Sequence, residues 1–265
     1  MTAKDKMQGN SMAVTRIDCD IHPAVGGTRT TLLPYLDDHW KEQVVSRAID
    51  GLDLNSYPPN MPLSGRADWR PANGKPGSDL AMVQRGAFDQ LGSSHAICNV
   101  LYGAQAVFDS YMAAAFCKAI NDWIAAEWLA RDPRLRASIV VPMQAPDLAV
   151  EEIERRAADN RFVSVLVLVQ GESLLGRRHY WPVYQAAEKY KLPIAVHAGS
   201  QYRGAPSSIG LAVLSLRILS RRGAGVSGPG AEPYLRGRVP QIPRPQGGAD
   251  GIRRQLAAGL HVARQ

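Results

Sequence analysis

The sequence predicts an α/β fold, an incomplete (β/α)8 barrel of which about five of the eight strands are legible. Three observations carry this. Apolar runs alternate with helical patterns four times in succession between residues 79 and 199. The runs are continuous in Val, Ile and Leu, as in parallel strands covered on both faces. No GxGxxG or Walker-type glycine loop follows the first strand, which lowers the doubly wound, nucleotide-binding alternative and leaves the barrel ahead.

VTRIDCDIH (14–22) reads as a short buried strand ending in acids and a histidine, its C-terminal end reaching a site. Residues 23–79, rich in Pro, Gly, Asn and Asp with Trp40 and Trp69 interspersed, read as a long ordered insertion with few regular elements. A helix over about 79–91, with Ser78 or Asp79 as N-cap, leads into a strand at 95–101. An amphipathic helix over about 108–130 leads into RASIVVPM (136–143). Helices over about 147–158 and 181–191 lead into strands at 161–169 and 192–199. Residues 1–210 are thus the N-terminal part of the barrel.

Composition bounds the alternatives. The 265 residues are 45% hydrophobic, which fits one globular domain of barrel size. No stretch approaches the roughly 18 consecutive apolar residues of a membrane span, and MTAKDKMQGNSM lacks the apolar segment of a secretory signal. The expected location is cytoplasmic, with no membrane partner. Cys19, Cys98 and Cys117 form no CxxC pair, so reduced thiols are expected rather than a disulfide framework or a thiolate zinc knot.

The net charge of +7 comes wholly from residues 211–265, which hold nine Arg, no Lys and two acids, leaving 22 basic and 22 acidic residues in 1–210. This tail has nine Gly and five Pro and no Phe or Trp. A nucleic-acid-binding arm would interleave Lys and stacking aromatics, and only Tyr234 is present, so no nucleic-acid partner is expected.

The chemistry gathers at two strand ends. Strand C-terminal ends of a parallel barrel surround one mouth. Asp18, Asp20 and His22 alternate along the first strand and share a face by the period of two. Asp20 and His22 then point into the mouth, where His197 arrives from the strand at 193–198. One carboxylate and two imidazoles suit a divalent ion, with zinc first and manganese or iron as alternatives. Asp18 has the second role of a hydrogen-bonding neighbour. His39, His95 and His179 read as structural, and His261 belongs to the tail.

IDCDIHP (17–23), RDPRLRASIVVP (131–142) and YWPVYQAAEKYKLPIAVHAGS (180–200) resemble the amidohydrolase superfamily, in particular its amidohydrolase-related proteins similar to aminocarboxymuconate-semialdehyde and resorcylate decarboxylases. The resemblance covers about residues 14–210. It implies a metal-dependent TIM barrel, a hydrolase or a lyase of the decarboxylase type, acting on a small-molecule carboxylic acid or related substrate, with a homo-oligomer possible for the intact family member. Asp18 matches the opening Asp of the family's Asp-x-His-x-His, His22 its second ligand and His197 a third. Asp20 stands where the family more often has His. A hydrolase would further need an Asp at the eighth strand as base, and no such residue is legible after Gly210.

The resemblance also gives residues 211–265 a reading. Taken one base out of register, synonymous codons for the tail permit WPSYHFEYLA from Leu211 and FPKFPDLKVVLMESGVSWLPAFMWRA from Val239, a helix entry and a strand ending in Glu, as the family requires next. The tail therefore reads as a one-base frameshift near Gly210, and the activity of the chain as impaired. The alternative is a non-catalytic truncated product or a basic-tailed binding protein.

Overall fold

The computed structural model describes residues 16–52, 67–170 and 175–201. The predicted tail at 211–265 and part of the insertion lie outside the described residues, and the frameshift reading with them.

Five strands form one parallel sheet: β1 (Ile17–Ile21), β2 (His95–Cys98), β3 (Leu135–Val140), β4 (Phe162–Gln170) and β5 (Ile194–Gln201). Each pairs with its successor, in the order β1-β2-β3-β4-β5. A doubly wound sheet reverses direction at a switch point. This one does not, so right-handed crossovers leave the intervening helices on one face and make the other the inner wall of an incomplete barrel.

The helices are α1 (Asp38–Ser46), α2 (Leu80–Gln84), α3 (Ser110–Ile124), α4 (Pro146–Arg156) and α5 (Trp181–Lys189). Wider turns of the π type extend α2 through Gln90 and α3 through Leu129. Aspartates fix three of the starts: Asp37 accepts from the Trp40 amide, Asp79 from that of Met82, and Asp109 from those of Tyr111 and Met112. Each such cap contributes about 1 kcal/mol. Along α3 the buried positions Ala113, Phe116, Cys117, Ile120, Asn121 and Ile124 follow the helical period and face β3 and α4.

The middle of the sheet is buried on both faces, as the continuous apolar runs predict; in β3 only Arg136 is not fully buried. No residue of β1 is buried, and Ile17 is exposed. All three cysteines are free thiols. Among the described residues no helix is long and apolar enough to cross a membrane.

Two local differences from the sequence reading matter for the site. Within 23–79 the segment DHWKEQVVS forms α1, a helix the Pro/Gly-rich surroundings concealed although Asp37 supplies its cap. The strand expected over 95–101 ends at Cys98, because Asn99 turns its polar groups toward β1. The insertion returns to β1 through a close contact. The Ala24 amide donates to the Gly77 carbonyl at 2.9 Å, and Gly77, at φ +82°, has the His22 carbonyl oxygen only 2.3 Å from where a Cβ would lie. Only glycine fits there without displacing His22.

Candidate functional site

Asp20 lies near the end of β1, His22 one residue past it, and His197 within β5. These strands are the first and fifth of the sheet, and five strands laid flat would set them roughly 19 Å apart. The two imidazole centroids are nevertheless 4.9 Å apart, with rings perpendicular. The sheet must therefore curl as a barrel wall does, bringing both ends to one mouth. Asp20 Oδ1 is 3.5 Å from His22 Nε2 and 3.9 Å from His197 Nε2, and one donor atom from each of the three residues lies within 4.8 Å of the others.

Simple alternation does not hold along β1. Relative to Ala96–Cys98 of β2, the stretch from Asp18 to Ile21 carries one extra residue, a bulge. Asp18 is not part of the cluster; its Oδ1 accepts the Asp20 amide at 3.1 Å, the neighbour's role.

Each group is tuned by its surroundings. The hydrogen-bonded His22 ring, with the Asn99 amide and His197, holds the Asp20 carboxyl down at about 2 despite partial burial. Burial pulls His22 downward, but Asp20 and the Asn99 carbonyl together outweigh it and raise this imidazole above its ordinary 6.5. His197 moves the other way, lowered by burial and by His22 against the opposing pull of Asp20. His22 Nδ1 lies 3.0 Å from the Asn99 carbonyl oxygen, which can only accept. Nδ1 therefore carries a proton, and Nε2, which faces the Asp20 carboxylate, is the nitrogen that would give up its proton to a cation. An ionised carboxylate, an imidazole with Nε2 turned to the cluster and a second imidazole held toward neutrality fit a divalent cation by their chemistry.

Three further residues, absent from the sequence reading, support this cluster. Asn99 Nδ2 donates to Asp20 Oδ1 at 2.9 Å, Ser138 Oγ donates to Asn99 Oδ1 at 2.6 Å, and Ser138 and Ser164 hydroxyls are 2.7 Å apart. All three are buried. The available signal was a lone hydroxyl in each of two otherwise apolar runs, RASIVV and FVSVLVLV. The histidines expected to be structural lie elsewhere: His39 against Trp40, His95 beside Ser94, and His179 against Tyr180. His261 lies outside the described residues.

A cavity of about 290 Å³ adjoins Asp20 and His22, walled by Trp69, Pro71, Met82 and Val83. A more open cavity of about 790 Å³, between Tyr35, Trp123, Glu127 and Arg131, contains none of the three clustered groups. The smaller one is the relevant one of the two, because it borders Asp20 and His22 of the cluster.

A family model described as Amidohydrolase matches residues 17–255. Over 102 residues the chain is 30% identical to a gamma-resorcylate decarboxylase of Polaromonas sp., covering 35% of this chain and 31% of that protein. Among solved structures, a 5-carboxyvanillate decarboxylase of Novosphingobium aromaticivorans, complexed with manganese and 4-hydroxy-3-methoxy-5-nitrobenzoic acid, superposes with a TM-score of 0.52 at 16% identity, over 73% of this chain and 53% of that one. The 5-carboxyvanillate decarboxylase of Sphingomonas paucimobilis superposes with a TM-score of 0.50 at 18% identity, over 85% and 64%. At such identities the two structures establish a shared fold. The chain spans about a third of the curated relative's length and between half and two thirds of these structures.

Proposed function

The chain belongs to the amidohydrolase family, and from that premise we propose that it is built as a metal-dependent hydrolase or carboxy-lyase for a small carboxylic acid or related substrate, with Asp20, His22 and His197 as the ligands. The observation that carries this reading is the convergence of those three side chains from β1 and β5. When bound, a divalent ion of the zinc, manganese or iron class polarises a carboxylate or carbonyl, or lowers the pKa of water to about 7 in a zinc case.

The chain's own groups do the rest. Asp20, ionised at neutral pH, supplies the negative charge of the donor set. His22 keeps its proton on Nδ1 against the Asn99 carbonyl and turns Nε2 to the mouth. His197, largely buried and lowered, offers a neutral nitrogen. Trp69, Met82 and Val83 give the adjoining cavity an apolar wall that excludes water from an aromatic or unsaturated substrate. The decarboxylases among the relatives favour carboxylate loss over hydrolysis.

The test is metal analysis with turnover assays on aromatic carboxylic acids. A divalent ion in near one-to-one ratio, with carbon dioxide released, supports the reading. A metal-free protein with full turnover overturns the site.

A second reading is a non-catalytic product that holds an ion without turnover. It is favoured by the edges of the sheet: among the described residues β1 and β5 each pair on one side only. On this reading residues 211–265 are a frameshifted sequence, and removing one base near codon 210 brings turnover. Sequencing the coding DNA there, and assaying the restored frame beside the chain as written, separates the two.

A further inference from the structure

Asn99 touches four consecutive residues of the first strand and its exit. Its backbone amide donates to the Ile21 carbonyl at 2.7 Å, and its side-chain Nδ2 donates to the Cys19 carbonyl at 3.1 Å and to Asp20 Oδ1 at 2.9 Å. Its own carbonyl receives His22 Nδ1. One residue thus grips both donors that β1 contributes, one through the side chain and the other through the backbone.

The orientation of the amide is determined by its partners. The Cys19 carbonyl and the Asp20 carboxylate only accept, so the NH2 group must face them and Oδ1 must face Ser138. Ser138 then has to spend its single proton on Asn99 Oδ1, and Ser164 must donate to Ser138. The chain of donors runs one way, from β4 through β3 to Asn99 and on to Asp20. Ser138 and Ser164 are 1% and 6% exposed, in strands whose other buried side chains are apolar, where a hydroxyl is costly unless paired.

We propose that Asn99 is a positioning residue for the ion held by Asp20, His22 and His197, and that Ser138 and Ser164 lock its amide in the working orientation. This rests on the metal reading above. Asn99 aims the carboxylate through Nδ2 and fixes the imidazole tautomer through its carbonyl. Ligand-orienting partners of this kind typically change metal affinity 10–100-fold when removed.

The experiment measures the Mn2+ dissociation constant of the 265-residue chain by the electron paramagnetic resonance signal of free Mn2+, with thermal melts as a fold control. Asn99→Ala should raise the constant by about 10–100-fold. Ser138→Ala should raise it less and Ser164→Ala less again, while Ser138→Thr, which keeps the donor, should return it toward the unmutated value. Variants that lower the melting temperature yet leave the constant unchanged, or a Ser138→Thr no better than Ser138→Ala in a folded protein, would show the chain of hydroxyls to be structural only. If the unmutated chain takes no Mn2+, the metal reading fails and the positioning role, which rests on it, fails with it. Mn2+ bound by the unmutated chain and equally well by a folded Asn99→Ala overturns the positioning role alone.

Discussion

The first strand and the third solve opposite problems. β3 is buried along almost its whole length and carries one fully buried polar side chain, Ser138. β1 has no buried residue and carries two of the three clustered donors. Groups that must meet an ion and a substrate need an open approach, whereas the scaffold that aims them needs density. The molecule separates the two and connects them by hydrogen bonds through Asn99. Stability and ion binding should therefore respond to different substitutions.

The sharpest test of that separation is His22→Ala combined with His197→Ala. It removes two of three donors from a half-open mouth and should abolish divalent metal content, read by elemental analysis, while the melting temperature of the metal-free protein changes little. Next is the converse. Ile139→Ala hollows a fully buried position of β3 and should cost about 2–5 kcal/mol in urea denaturation, with metal per folded chain unchanged. A parallel loss of metal would erase the distinction between the two strands.

Gly77→Ala should strike both properties at once. The new methyl meets the His22 carbonyl, and the backbone is already in the left-handed region. A cost of about 1–3 kcal/mol together with weaker Mn2+ binding is expected. Full affinity with lowered stability would mean that His22 does not feel the insertion.

The smallest effect is the pH dependence of the metal-free chain. Asp20 is lowered to about 2, so its contribution is present above its ordinary 3.8 and fades as pH falls toward 2. His22 is raised, so its contribution is present below 6.5 and is lost as pH rises through the folded value. His197 is lowered and opposes, favouring the native state above 6.5 and losing that as pH falls. The difference in melting temperature between the unmutated chain and Asp20→Asn, measured with a chelator present, should be largest between about pH 4 and 6.5 and shrink on either side. Both side chains of the pair are substantially exposed, so the difference is small and salt-sensitive. A difference that grows above pH 8 would contradict the pairing.

The five strands were legible because short apolar runs alternate with helical patterns, most plainly at SIVV and VLVLV, and four of the helices because α3 and its fellows repeat their apolar positions at the helical period. α1 was not, since its apolar face is slight and it sits among Pro and Gly. Asp20, His22 and His197 could be picked out because strand ends of a barrel share a mouth whatever their separation in sequence. Asn99, Ser138 and Ser164 could not. Their meaning lies in which residue of one strand stands beside which residue of the next, and register is a property of the folded sheet. The same blindness hid the extra residue between Asp18 and Ile21.

That extra residue constrains how the segment can change over time. Side chains in a strand switch faces with every position gained or lost. The stretch from Asp18 to Ile21 already absorbs one residue more than β2 opposes, with Ile21 still opposite Cys98. A residue lost inside that stretch would restore plain pairing and leave His22 in place, whereas one gained between Ile21 and His22 would turn the imidazole away from the mouth. The segment can therefore change length at the bulge but not beyond it.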